Sequence, residues 1–128
     1  MNNFVVIMVI VFLLTGCAGT AAWHGMRISS TEAESKVNNE KIMSLNIGQT
    51  RAEVLRIMGN PSKREVYQLE NQKIVEFLFY RTSGWSLTDS GDKDYQFTPL
   101  AFENEKLVGW GRNYYDNVVR HAVDIRVK

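Results

Sequence analysis

A single cysteine, Cys17, is the only thiol in this 128-residue chain. One thiol cannot close an internal disulfide or supply a cysteine-rich metal site. The two histidines, His24 and His121, lie far apart and make no ligand set. Fifteen basic residues face fourteen acidic ones, for a formal charge of +1, so the basic excess typical of nucleic-acid binders is missing. No apolar run is long enough to cross a bilayer, because the longest, Phe4 to Leu14, is eleven residues, against the roughly 20 that a membrane-spanning helix needs. Internal repeats and low-complexity runs are also lacking. What is present is ordinary for one small globular domain: 45% apolar residues and fourteen aromatic rings (three Trp, five Tyr, six Phe). Without staples, such a domain depends on its apolar core.

The run FVVIMVIVFLL has the length of a secretory h-region. Leu14-Thr15-Gly16-Cys17 follows it and resembles the bacterial lipobox, a leucine, two small residues and a cysteine. The resemblance implies cleavage between Gly16 and Cys17 and lipidation of Cys17, whose acyl chains are then the protein's membrane-lipid partner. Two or three chains anchor stably where one binds reversibly. Ala18 follows the cysteine, where an aspartate would imply inner-membrane retention, so the outer membrane, periplasmic face, is the implied location. The expected organisation is a signal peptide at 1–16, a lipidated cysteine and tether at 17–30, and a domain at 31–128.

Thr31 and Glu34 have capping-box spacing, and a helix with a narrow buried stripe is expected over Thr31 to Ser44. In LNIGQTRAEVLRIMGNPS the signals are stronger. Thr50 and Glu53 form a second capping box, Val54, Leu55 and Met58 make an apolar stripe, Gly59 is a C-terminal cap and Pro61 a stop. The spacing predicts a helix over Arg51 to Met58. Lys63–Leu69 and Lys73–Thr82 read as a hairpin around the ENQ turn, with Val75, Phe77 and Phe79 on the core face and Glu76 and Tyr80 on the other. A long polar loop, Ser83 to Phe97, precedes a second hairpin, Pro99–Phe102 with Lys106–Arg112. Gly109 and Gly111 there leave room for Trp110 or mark a bulge. The tail is ambiguous. Tyr114, Tyr115, Val118 and Val119 fit a helix, whereas Val123, Ile125 and Val127 alternate with Asp124 and Arg126 as a strand would.

IGQTRAEVLRIMGNP, together with FLFYRT and TPLAFENEKLVGWG, resembles the SmpA/OmlA/BamE-like envelope lipoproteins, nearest to a branch that shares the latter two motifs. The resemblance covers roughly Leu45 to Arg112, and its matching positions (Gly48, Thr50, Val54, Gly59, Pro61) are structural. It implies an α+β domain, two short N-terminal helices packed on an antiparallel sheet of three to four strands. It also implies a non-catalytic, protein-binding accessory in outer-membrane assembly or envelope maintenance, with an envelope protein as partner and neither cofactor nor small-molecule substrate. The alternative is a stress-response or inhibitor-like binding lipoprotein unrelated to barrel assembly.

Candidate chemistry is thin. GWSLT begins like a nucleophile elbow but ends in Thr88, and Ser86 lies in a loop, so no catalytic residue is assigned. Asp92, Asp94, Gln96, Thr98 and Glu103 fall at EF-hand-like spacing, but Phe97 takes the obligatory glycine position and Pro99 interrupts the loop. No metal site is assigned, and loose calcium contact by Asp89, Asp92 and Asp94 is the residual option. Trp85, Tyr95 and Phe97 either fold back on the sheet or serve as partner-binding anchors, since Trp and Tyr dominate interface hot spots. Exposed strand edges offer a second partner mode.

Overall fold

A computed structural model describes residues 18–123. Gly16, Cys17 and the signal segment lie outside the described residues, as do Asp124 to Lys128 and the side chain of His24. The first helix, α1, is Ala18–Met43. It therefore starts thirteen residues before the expected cap at Thr31, and the stretch expected as a tether is helical. Thr31 is interior. Its hydroxyl lies 3.0 Å from the Arg27 carbonyl, the back-bond that Thr makes inside a helix, and does not cap it. Ser35, Asn38 and Ile42 are the buried stripe, continued by Leu45 beyond the helix end.

At Gly48, φ is +90°, which favours glycine, and the chain turns there onto the sheet. Gly48 N–H donates to the Leu107 carbonyl (2.8 Å) and Leu107 N–H to the Gln49 carbonyl (2.8 Å). Helix α2, Arg51–Met58, then forms as its signals predict. Thr50 and Glu53 close the capping box, and Gly59, at φ +81°, donates its N–H to the Leu55 carbonyl (2.8 Å).

Strands β1 (Lys63–Leu69), β2 (Ile74–Arg81), β3 (Phe97–Glu103), β4 (Lys106–Trp110) and β5 (Ala122–Val123) form one antiparallel sheet, ordered β4-β3-β2-β1-β5. The α+β class is as expected. The sheet gains a fifth, two-residue strand, and β4 stops at Trp110, two residues before the expected end. Helix α3, Arg112–Arg120, lies between β4 and β5, so the tail is helix first and strand after. Of the alternating tail residues only Val123 falls within the described strand.

The main departure is in layering. Val75, Phe77 and Phe79 face a core as expected, but so does the opposite side of β2. Leu78 and Tyr80 pack with Leu100, Phe102 and Leu107 beneath Ile42, Val54 and Met58 of the two N-terminal helices. On the other side Phe77, Phe79 and Ala101 pack beneath Val118 and Tyr115 of α3. The molecule is thus three layers, helices–sheet–helix, and β2 is buried on both faces, which explains its nearly unbroken apolar run. Tyr80 is buried as a consequence. Its hydroxyl donates to the Gly59 carbonyl (2.9 Å), and burial pushes its pKa up to about 12.

Tyr115 holds α3 down. Its ring meets Phe77 and Phe79 edge-on at centroid distances of 4.9 and 5.4 Å, and such pairs each contribute about 0.5–1.5 kcal/mol beyond burial. Its hydroxyl donates to Glu65 (2.6 Å), and the Tyr67 hydroxyl, 2.9 Å from both groups, closes a triangle. Gly109 flanks a bulge, as one of its two expected roles has it, where the β3–β4 pairing shifts register, and it makes room for α3. A Cβ there would stand 2.8 Å from the Tyr114 ring.

Candidate functional site: the loop between β2 and β3

Arg81, the last residue of β2, is the root of this loop. Its side chain is 7% exposed, and it donates to Asp92 (2.5 Å) and Gln96 (3.1 Å) and pairs with Glu34 of α1 (3.6 Å). Its guanidinium also covers the Phe97 ring at 4.6 Å. Gln96, fully buried, is the second fixed point. Its backbone carbonyl accepts the N–H groups of Thr82 (2.8 Å) and Ser83 (3.1 Å), and its amide donates to Asp89 (2.8 Å). Asp89 also accepts from Ser86 N–H (2.8 Å) and the Tyr95 hydroxyl (2.8 Å). Those donors, the backbone first, hold its carboxyl below the usual range. Residues 82–93 run without regular structure from β2 to a single 3-10 turn at Asp94–Gln96; a buried cation and a buried amide hold both ends.

The three aromatic residues expected as partner anchors divide. Trp85 folds back onto α1: its backbone N–H donates to the Thr31 hydroxyl (3.0 Å), and its ring lies under the Arg27 guanidinium (4.7 Å). Gly84 beside it lies against Glu32. The buried indole N–H of Trp85 has no acceptor among the described residues. Phe97 is half-buried beneath Arg81. Tyr95 alone of the three is turned outward, 65% exposed. Leu87, which sequence reasoning missed, is 83% exposed in the same loop. A lone leucine among polar residues has no period to betray it.

The remaining candidates are accounted for locally. The Ser86 hydroxyl shares a hydrogen bond with Thr88 (3.1 Å). Asp92 binds Arg81, Asp94 pairs with Lys63 (3.3 Å) and Asp89 ties the loop together, so the three aspartates are directed at their own surroundings. Glu103 pairs with Lys73 (3.2 Å). No cluster of three or more His, Cys, Asp or Glu suited to a metal occurs among the described residues. His121 caps α3, with Nδ1 2.7 Å from the Asn117 carbonyl.

Two shallow depressions lie at the opposite end of the sheet. One, of about 240 Å³, is lined by Arg64, Val66, Ile74, Glu76, Phe102 and Asn104 among others. Glu76 accepts from Arg51 (2.7 and 3.2 Å) and from Arg64. Burial alone would raise its carboxyl, but the two guanidiniums outweigh that and hold it below its ordinary value. The other, of about 380 Å³, opens between α3 and the hairpin turns, with Leu69, Glu103, Tyr114, Asn117 and His121 in its wall. Neither was legible in sequence, because each depends on strand register.

No curated protein and no solved structure matches the chain closely enough to be called similar. One family model does match, over residues 17–117, well over half of the 128 residues. The chain belongs to the family described as "Protein of unknown function (DUF3192)".

Proposed function

We propose that this protein is a non-catalytic lipoprotein, anchored through Cys17 in the outer membrane and facing the periplasm, that binds another envelope protein as an accessory in outer-membrane assembly or maintenance. The observation that carries the reading is the lipobox, an h-region too short to span followed by Leu14-Thr15-Gly16-Cys17. The SmpA/OmlA/BamE-like resemblance supports the same reading, and it belongs to the proposal. Its signature positions have local structural roles: Thr50 caps α2, Gly59 ends it at positive φ, and Val54 is fully buried beneath. A binding role is further favoured by a loop that is held firmly yet turns Leu87 and Tyr95 to solvent, since exposed apolar groups on a fixed scaffold are what an interface needs.

The test is fractionation of Cys17→Ser. Release into the soluble periplasmic fraction, or accumulation as an unprocessed precursor, is expected. Processed and still membrane-bound protein would end the anchoring reading. Affinity isolation of the intact lipoprotein from membranes addresses the partner. Co-isolation of the barrel-insertion complex supports the assembly role, and its repeated absence moves the protein to the stress-response or inhibitor-like alternative.

A further inference from the structure

The two edges of the sheet are finished differently. On the β4 side the segment before α2 closes the edge: Gly48 N–H donates to the Leu107 carbonyl, Leu107 N–H to the Gln49 carbonyl and Arg51 N–H to the Glu105 carbonyl, all at 2.8 Å. On the β1 side the described part of β5 covers only Gln68 and Leu69, through Gln68↔Val123 and Leu69↔Ala122. The rest of β1, Lys63 to Tyr67, has an uncovered edge among the described residues. Backbone direction alternates along that edge. Leu69 N–H donates inward to the Lys73 carbonyl (2.8 Å), so residues 67, 65 and 63 also turn toward β2, while Gln68, Val66 and Arg64 turn their N–H and C=O groups outward. Side chains beside the edge are left open too. Ile74 is 60% exposed, and with Val66 and Arg64 it lines the depression of about 240 Å³ on the face that α1 and α2 cover only in part.

We propose that this edge is the docking site of the chain's own residues 124–128, which lie outside the described residues, and that they extend β5 antiparallel along β1. Register carries the proposal. From the pairing fixed at Ala122 and Val123, each further residue moves one step along β1. Ile125 then stands opposite Val66 and Val127 opposite Arg64, on the same face as Val123 and the exposed Ile74. Asp124 and Arg126 take the α3 face, opposite Tyr67 and Glu65, and Lys128 comes beside Lys63 and its carboxylate partners Glu65 and Asp94. A slip of one residue would set a charge against Val66 and turn the apolar side chains to the other face. The period-2 pattern of the tail, the open length of β1 and the exposed apolar rim thus agree on one register. Charge is the lesser term, since Glu65 is already held by Lys63, Tyr67 and Tyr115. With the tail in place both sheet edges are closed, and a partner strand adds at β1 only by displacing it. The proposal is independent of anchoring at Cys17.

Residue-resolved amide exchange on the intact protein tests it, beside three altered forms: the chain stopped after Val123, Ile125→Pro and Arg126→Pro. In this register the Ile125 N–H bonds to β1 and the Arg126 N–H points to solvent, so proline breaks the pairing at 125 and is tolerated at 126. The expected result is slow exchange at Arg64 and Val66 in the intact chain and in Arg126→Pro. In the stopped chain and in Ile125→Pro, exchange there is expected to be at least about tenfold faster. Phe77 and Leu100, in the central strands, are the reference amides and keep their protection in all four forms. Fast exchange at Arg64 and Val66 in the intact chain, protection that survives the stop after Val123, or equal behaviour of the two proline forms would each overturn the proposal. So would protection that rises with protein concentration, the mark of a second copy on the edge. If the stopped chain loses protection at Phe77 as well, the two proline forms, full in length, decide.

Discussion

Glu76 stands on the face of β2 that the N-terminal helices cover only in part, between Arg51 and Arg64. Its carboxyl is held below its unfolded value of 4.5, so its contribution to stability is present above that pH and is lost as pH falls through the folded-state pKa. Glu76→Gln is expected to destabilise by about 1–2 kcal/mol at pH 7, less than a fully buried pair because Arg64 is largely in water. Urea titrations of both proteins at pH 7 and at successively lower pH check this, because the difference shrinks as the wild-type carboxylate takes up its proton below 4.5. Gly109 is a second sensitive residue. Gly109→Ala places a methyl 2.8 Å from the Tyr114 ring, and overpacking of this kind costs about 1–3 kcal/mol, readable as a lower thermal midpoint. Tyr114→Ala in the same chain removes the collision, so the two substitutions combine non-additively.

At the scale of elements, α2 is the most self-explanatory part of the chain. Thr50→Ala removes the side-chain acceptor for Glu53 N–H and is expected to cost about 1 kcal/mol, with faster amide exchange confined to the first turn of α2. This helix was readable in the sequence because every signal for it lies within a dozen residues. The first half of α1 was not. Its sequence carries no apolar stripe, and the Trp85 loop, which meets it at Arg27 and the middle of the helix at Thr31 and Glu32, lies fifty-four residues away from Thr31. The tail carried two true signals in succession, a helix and then a strand, and sequence alone could not divide them. The second covered face of β2 was hidden for a related reason, since alternation tells which residues share a side but not whether a helix will return from position 112 to cover it. The aromatic anchors divided because of arginines. Arg27 and Arg81 lie over Trp85 and Phe97, and such cation–π partners have no sequence signature.

Among the described residues, the sheet is covered on one side by α1 and α2 and on the other by α3. A chain ending at Gly111 lacks α3, and Phe77 and Phe79 then face water. Such a truncation is expected to bind a hydrophobic dye and to lose near-ultraviolet circular dichroism while keeping much of its far-ultraviolet signal. The doubly buried β2 also has a consequence in time. Its segment IVEFLFY is rich in aromatic and β-branched residues, holds one charge and no proline, and so has the composition of an aggregating strand whenever it is uncovered. Hairpin partners on either side can pair with it early, because both are close in sequence. The rings on its second face must wait for residues 112–120, which emerge after strands β1 to β4, so during synthesis this protein passes through a half-covered interval in which other chains can reach its central strand.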